Sequence, residues 1–248
     1  MKRSAIFVAA FLLAVPAASA AEEAGTCSLY PRPKAPDKPG DWVEYRVTGP
    51  MLVTPGTMRM AVTGIEGTGD ERAYWLEISM SDARTGGVVK SLLVGDPLAP
   101  KKVKRVIMKT LSMPAMEIPQ SMIGKVDLAK NPIAGTQQCS KVPGAPIDTS
   151  TPDEPFTVGG KTITVRVTKV SRDEKEYVFK HSDKVPLTGL VWADFKTQVI
   201  ELTGFGHDAK TAITEQPLPM DQVMSGITGI PPPPGAAPGH APPKDAGK

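Results

Sequence analysis

Histidine, cysteine and aromatic side chains are scarce in this chain. Among 248 residues there are three His, at 181, 207 and 240, and two Cys, at 27 and 139; aromatics make up 5%. So few imidazoles, so far apart, leave little from which to assemble a multi-His metal site. Neither cysteine has the C-x-x-C spacing or the nearby His that a redox pair or a zinc site needs. The G-x-S-x-G elbow, the P-loop and H-E-x-x-H are missing. His181-Ser182-Asp183 and His207-Asp208 hold residue types of a hydrolytic site, but neighbouring strand residues point to opposite faces, so adjacency builds no triad. Asp70-Glu71 and Asp173-Glu174 fall where hairpin turns are expected, their charge keeping the tips solvated. The chain therefore reads as a non-enzyme with no catalytic residue, no metal ligand set and no cofactor.

Long apolar runs are missing as well, apart from Ile6 to Val15. That run follows the basic Lys2-Arg3 and precedes Ala18-Ser19-Ala20, the order of a secretory signal peptide over residues 1–20, with Ala21 as the new N-terminus. It is far short of the roughly 20 residues of a spanning helix, so no membrane span is expected after processing. A lipoprotein would place its modified Cys directly behind the apolar run, whereas Cys27 lies well beyond it and follows Thr26. The expected location is the periplasm, or the exterior where there is no outer membrane. Removing the signal takes two of the 29 basic residues, leaving 27 against 26 acidic, a net charge of +1. A balance so even argues against a nucleic-acid partner. In an exported chain an even pair of cysteines points to a Cys27–Cys139 disulfide. Closing a loop of about 110 residues, such a bridge is worth about 4–5 kcal/mol in the chain-entropy model, less any strain.

Proline, by contrast, is plentiful, and it marks the two ends. Residues 21–40 form a Pro-rich, extended lead-in, and 227–248 a Pro-rich tail with almost nothing to build a core from, read as disordered and leaning to polyproline. Between them, 41–226 has the length of one domain. Period two dominates there. The expected strands are Trp42–Thr48, Thr57–Ile65, Tyr74–Met80, Val88–Val94, Val103–Thr110, Thr162–Val170, Glu176–His181, Gly189–Phe195 and Gln198–Thr203. Gly159-Gly160 is a hairpin signal. The pattern predicts a mainly β fold, a meandering antiparallel sheet with one or few short helices; Met122, Ile123, Val126 and Leu128 permit one after Pro119.

Methionine is the most unusual component. Met108, Met113, Met116 and Met122 fall within fifteen residues, and Met58, Met60 and Met80 lie on strands. Three readings stand side by side: adaptable core filler, a surface for apolar ligands, or soft thioether ligands for Cu(I) at Met113 and Met116. Lys101-Lys102-Val103-Lys104-Arg105 reads either as a charged margin that guards a strand from aggregation or as a contact for anionic head groups.

The order of segments GDWVEYRVTG (40–49), AYWLEISM (73–80), VVKSLLVGDP (88–97), KRVIMK (104–109), PAMEIP (114–119), KVPLTGLV (184–191) and VIELTGFG (199–206) resembles bacterial envelope proteins of the LolA-like class. The resemblance implies a single curved antiparallel sheet, an unclosed half-barrel, around an apolar concavity that shelters lipid or lipoprotein acyl chains. On that expectation Met58, Met60, Tyr74, Leu76, Ile78, Met80 and Trp192 line one concave surface, with Met113, Met116 and Ile118 near its mouth. The expected partner is a lipid or lipoprotein ligand. The alternative is an envelope protein partner engaged through the Pro-rich tail by a structural or interaction module.

Overall fold

The computed structural model describes residues 33–50, 54–81, 86–123, 147–148, 153–172 and 175–228. The signal segment, Cys27, Cys139, the turn at Asp173-Glu174, the expected helix beyond Ile123 and the tail beyond 228 lie outside these residues.

Five strands follow one another as a meander: β1 (Trp42–Thr48), β2 (Gly56–Glu66), β3 (Ala73–Ser81), β4 (Gly86–Asp96) and β5 (Ala99–Thr110). A short β6 (Met116–Glu117) and α1 (Gln120–Ile123) come next, then β7 (Ile147–Asp148), β8 (Glu154–Val158), β9 (Lys161–Arg172), β10 (Lys175–His181), β11 (Leu190–Asp194) and β12 (Val199–Gly206). The described chain ends in β13 (Leu218–Pro219) and α2 (Met220–Thr228). Every expected strand forms, seven of the nine running one to four residues longer than their patterns because ladder hydrogen bonds continue past the last apolar residue, while β11 is two residues shorter.

The sheet runs β13-β6-β5-β4-β3-β2-β1-β12-β11-β10-β9-β7, with β8 paired to β9 off this path. Its two ends do not pair, so the sheet stays open. Among the described residues all pairings are antiparallel except the two-residue contact of β13 with β6. Closing the order in the middle, β12 returns beside β1, with Val47 opposite Ile200 and Tyr45 opposite Leu202. Register shifts between Val62 and Gly64, between Leu92 and Leu93 and between Lys180 and His181 insert extra residues, and such bulges bend and twist a sheet. The bend brings both wings onto one core, in which Val103 of β5 and Val165 of β9 belong to the same apolar cluster.

Alternation decides which side chains enter that core. A cross-strand row on the inner face reads Val43, Met60, Ile78, Val89, Met108 and Met116 from β1 to β6. The outer face carries their chain neighbours, among them Arg59, Glu77 and Lys90. Over the inner face lies the β8–β9 hairpin, whose Val158, Ile163 and Val165 join the core. Its tip is Gly159-Gly160 with φ of 54° and 75°, the positive pair that a type I′ turn requires. The link 182–189 covers the same face, burying Val185 and Leu187 and hydrogen-bonding to the Tyr45 hydroxyl, which donates to Leu190 O at 3.0 Å and meets Thr188 Oγ1 at 2.5 Å.

The chain between β12 and β13 crosses the other face as a strap. Ile213 of this strap packs with Ile107 and Ala115 on the outside of the sheet. The end of the Pro-rich lead-in is fastened too: Gly40 N donates to Val62 O, Ala209 N donates to Gly40 O, and Arg72 donates to the carbonyl of Asp37.

Candidate functional site

The apolar inner face divides into a closed part and an open part. Met58, Met60, Tyr74 and Leu76 are all buried, Met60 completely and Leu76 at 3% exposure, and they share a core with the hairpin and the 182–189 link. Their surface is consumed by the fold. Further along β3 the cover thins: Ile78 is half-buried and Met80 is 48% exposed. Val89 and Met108, which continue the row beside Ile78, are half-buried as well. On this margin stands α1, which buries Ile123 in the main core and leaves Met122 exposed.

The structure places the remaining expected residues as follows. Ile118 packs against the core and donates its N–H to Val106 O at 2.9 Å. Met116 is buried opposite Met108, so its thioether is engaged in packing, while Met113 sits half-buried in the bend before β6. Trp192 does not join the others. It pairs with Glu201, which faces Arg46 across β12, and that row lies on the outer face, whereas its neighbour Ala193 lies opposite Ile200 on the inner one. The period-two reading of β11 was right, and only the choice of face was not available from one strand.

Chemistry is sparse at the polar positions. His181 is buried and its Nε2 lies 3.2 Å from Thr168 Oγ1. Burial holds its pKa below the usual imidazole value, with the Arg166 charge adding to the effect. Ser182 Oγ donates to Thr164 O at 2.6 Å, so it serves the turn after β10. His207 Nδ1 lies 2.6 Å from Asp41 Oδ1, joining the end of β12 to the start of β1. Among the described residues no group of three or more His, Cys, Asp or Glu is arranged to hold a metal ion. No helix among them is long and apolar enough to cross a membrane.

The basic run on β5 lies along the sheet margin, since β6 pairs only with Ile107 and Met108. Lys104 pairs with Glu71 at 3.0 Å and Arg105 with both carboxylate oxygens of Glu117. The Lys104 hydrogen bond holds the Glu71 carboxyl below the usual carboxylate range, and Glu117 holds the Arg105 guanidinium above its ordinary value. Lys101 and Lys102 remain exposed at the β4–β5 turn.

Sequence reasoning missed Glu77. Its alternation assigns it correctly to the outer face, which reads as solvent, yet the strap buries it to 4% exposure. Its only sequence signal is the cluster of short polar and turn-forming residues from His207 to Glu215, and that does not say which face the segment crosses. No family model matches the chain, and no curated protein matches it.

Proposed function

We propose that this is an exported, non-catalytic envelope protein that shelters the acyl chain of a lipid or lipoprotein at the open end of its inner sheet face. The observation that carries this reading is the apolar row that is fully buried at Val43 and Met60, thins to half-buried at Ile78, Val89 and Met108 and is buried again at Met116, with Met80 exposed on its margin. An apolar strip whose cover thins in the middle and whose margin meets solvent at Met80 is suited to a flexible alkyl chain, and unbranched Met side chains adapt to one. Each methylene sheltered contributes about 0.8 kcal/mol, so a partly covered chain offsets its own ordering cost. The ligand's room lies beside β3, β4 and β5 and not over β1 and β2, where the hairpin and the 182–189 link already fill the concavity. The mechanism is sequestration, with no bond made or broken.

The test is solvent extraction and mass spectrometry of the purified full chain, followed by titration with a fluorescent sixteen-carbon fatty acid. Copurified lipid or saturable uptake is expected, weakened at least tenfold by Met80→Asp and by Met108→Asp in variants with unchanged circular dichroism. A protein that carries no lipid and takes up none, or variants that bind as well as the parent, overturns the reading.

A further inference from the structure

On the opposite face of the same sheet, Arg59 is held in an unusual state. It projects from β2 with its guanidinium carbon 4.7 Å above the Trp42 ring. Trp42 is itself fixed, its Nε1 donating to Asp208 Oδ1 at 2.8 Å and its ring lying over Gly204 and Gly206, where an added Cβ would come within 3.2 and 2.8 Å. Arg59 Nε is buried and has no hydrogen-bond partner among the described residues; no other buried side-chain nitrogen or oxygen among them is in that position. Glu44, directly opposite on β1, makes no ion pair with it and instead accepts from the Thr203 hydroxyl at 3.4 Å. A guanidinium offers five donors in a rigid fork, and buried donors are satisfied in almost all native proteins.

Arg59 also borders a trough of 310 Å³ between the sheet and the strap. Thr57, Ser79 and Ser81 offer hydroxyls along it, and Val88 and Leu111 offer apolar surface, Leu111 being 83% exposed. The other cation on the lining, Lys109, is already paired with Glu215 at 2.6 Å. Two acids border Arg59, Glu44 opposite it on β1 and Asp208, whose carboxylate feels the Arg59 charge, and that balance favours a singly charged planar anion over a dianion. A carboxylate matches the guanidinium fork in geometry and charge.

We propose that this trough is a second binding site, in which Arg59 receives the carboxylate of a small amphiphile whose apolar body lies along Val88 and Leu111. The volume is at the lower end of the roughly 300–1,000 Å³ typical of ligand sites, so the occupant is short. Met80 lines the trough as well and so borders both sites, whereas Val89 and Met108 of the inner row belong to the acyl-binding margin and not to the trough.

Sodium octanoate, titrated into the full chain and followed by calorimetry and tryptophan fluorescence, is the probe. Saturable one-to-one binding is expected, with acetate binding at least tenfold more weakly for want of an apolar body. Arg59→Met, which keeps the stack on Trp42 but removes the charge, should weaken octanoate at least tenfold. Leu111→Asp, a change at a solvent-exposed position that leaves the core untouched, should do the same by placing a negative charge at the rim. Met108→Asp should leave octanoate binding unchanged, which separates this site from the inner face. Octanoate binding that is absent, that is matched by inorganic phosphate, or that survives both Arg59→Met and Leu111→Asp overturns the proposal.

Discussion

The carboxylate of Glu77 accepts the backbone N–H of Ala212 at 2.8 Å, joining the middle of β3 to a segment 135 positions later. The Thr211 hydroxyl donates to the same carboxylate, and Lys90 Nζ stands 3.3 Å from it with its own side chain largely buried. One acid thus holds the strap on the outer face. Glu77→Ala removes the acceptor for Ala212 and leaves Lys90 buried without its counter-charge, so a loss of about 3 kcal/mol is expected in urea unfolding. Hydrogen exchange at the Ala212 amide should accelerate ahead of amides in β1 and β2. Protection that is unchanged at Ala212 would show that the strap is held by Ile213 alone.

His181 makes stability depend on pH near neutrality. Its folded pKa lies below the unfolded value of 6.5, so the unfolded chain binds more protons in the window between the two. Stability is therefore fully present above that window and falls as the pH drops from about 7 through 6.5 and below. Arg166 adds to this by repelling the imidazolium, while Asp153 opposes it. Urea midpoints measured between pH 8 and 5 should decline for the parent chain, and the decline should be smaller for His181→Asn. The depressed carboxyls of Glu71, Asp194, Asp208 and Glu215 act at lower pH, below their ordinary carboxylate range, and do not mask the effect.

Tyr45→Phe tests how the 182–189 link is held on the inner face. The ring stays, but Leu190 O loses a donor and Thr188 Oγ1 its partner, both in buried surroundings. A loss of about 1–2 kcal/mol is expected, against about 3–5 kcal/mol for Tyr45→Ala, which also empties the core. Equal losses in the two variants would mean that the hydroxyl carries the whole effect.

Two glycines with positive φ separate conformation from space. At Gly40, φ is 121° and a Cβ would stand 2.3 Å from His207 O; at Gly160, φ is 75° and nothing lies within 4 Å. Gly160→Ala should cost about 1 kcal/mol, the left-handed penalty alone. Gly40→Ala adds a backbone collision that nothing flexible relieves, and a loss of about 3 kcal/mol is expected. Thermal melts of the two variants side by side give the comparison.

Strand positions were legible because each depends on local alternation: Trp42–Thr48 emerges with the bounds its pattern suggests, and the glycine pair at 159–160 turns as its φ preference requires. The helix after Pro119 was also visible, although the described part ends at Ile123. Of the ten residues expected to line a site, Trp192 falls on the outer face, and the others lie on β2 and β3 or in the segment after β5. What alternation could not supply was depth. Leu76 and Met80 stand four residues apart on the same face of one strand, yet one is closed off and the other open, because the hairpin and the 182–189 link arrive over the first and not the second.

By itself, the sequence determined the periodicity of the strands, the punctuation between them and the two-faced character of β1 to β5, all of which follow from the fixed geometry of an extended backbone. Only the tertiary structure decided which polar residues became buried and which apolar residues stayed exposed. Glu77 is sealed under a strap that comes from the far end of the chain, and Arg59 is pinned on Trp42 beside a trough whose wall is Ala212. Those outcomes depend on contacts between segments more than a hundred residues apart, and burial of a charge is a property of everything packed around it, which no local pattern records.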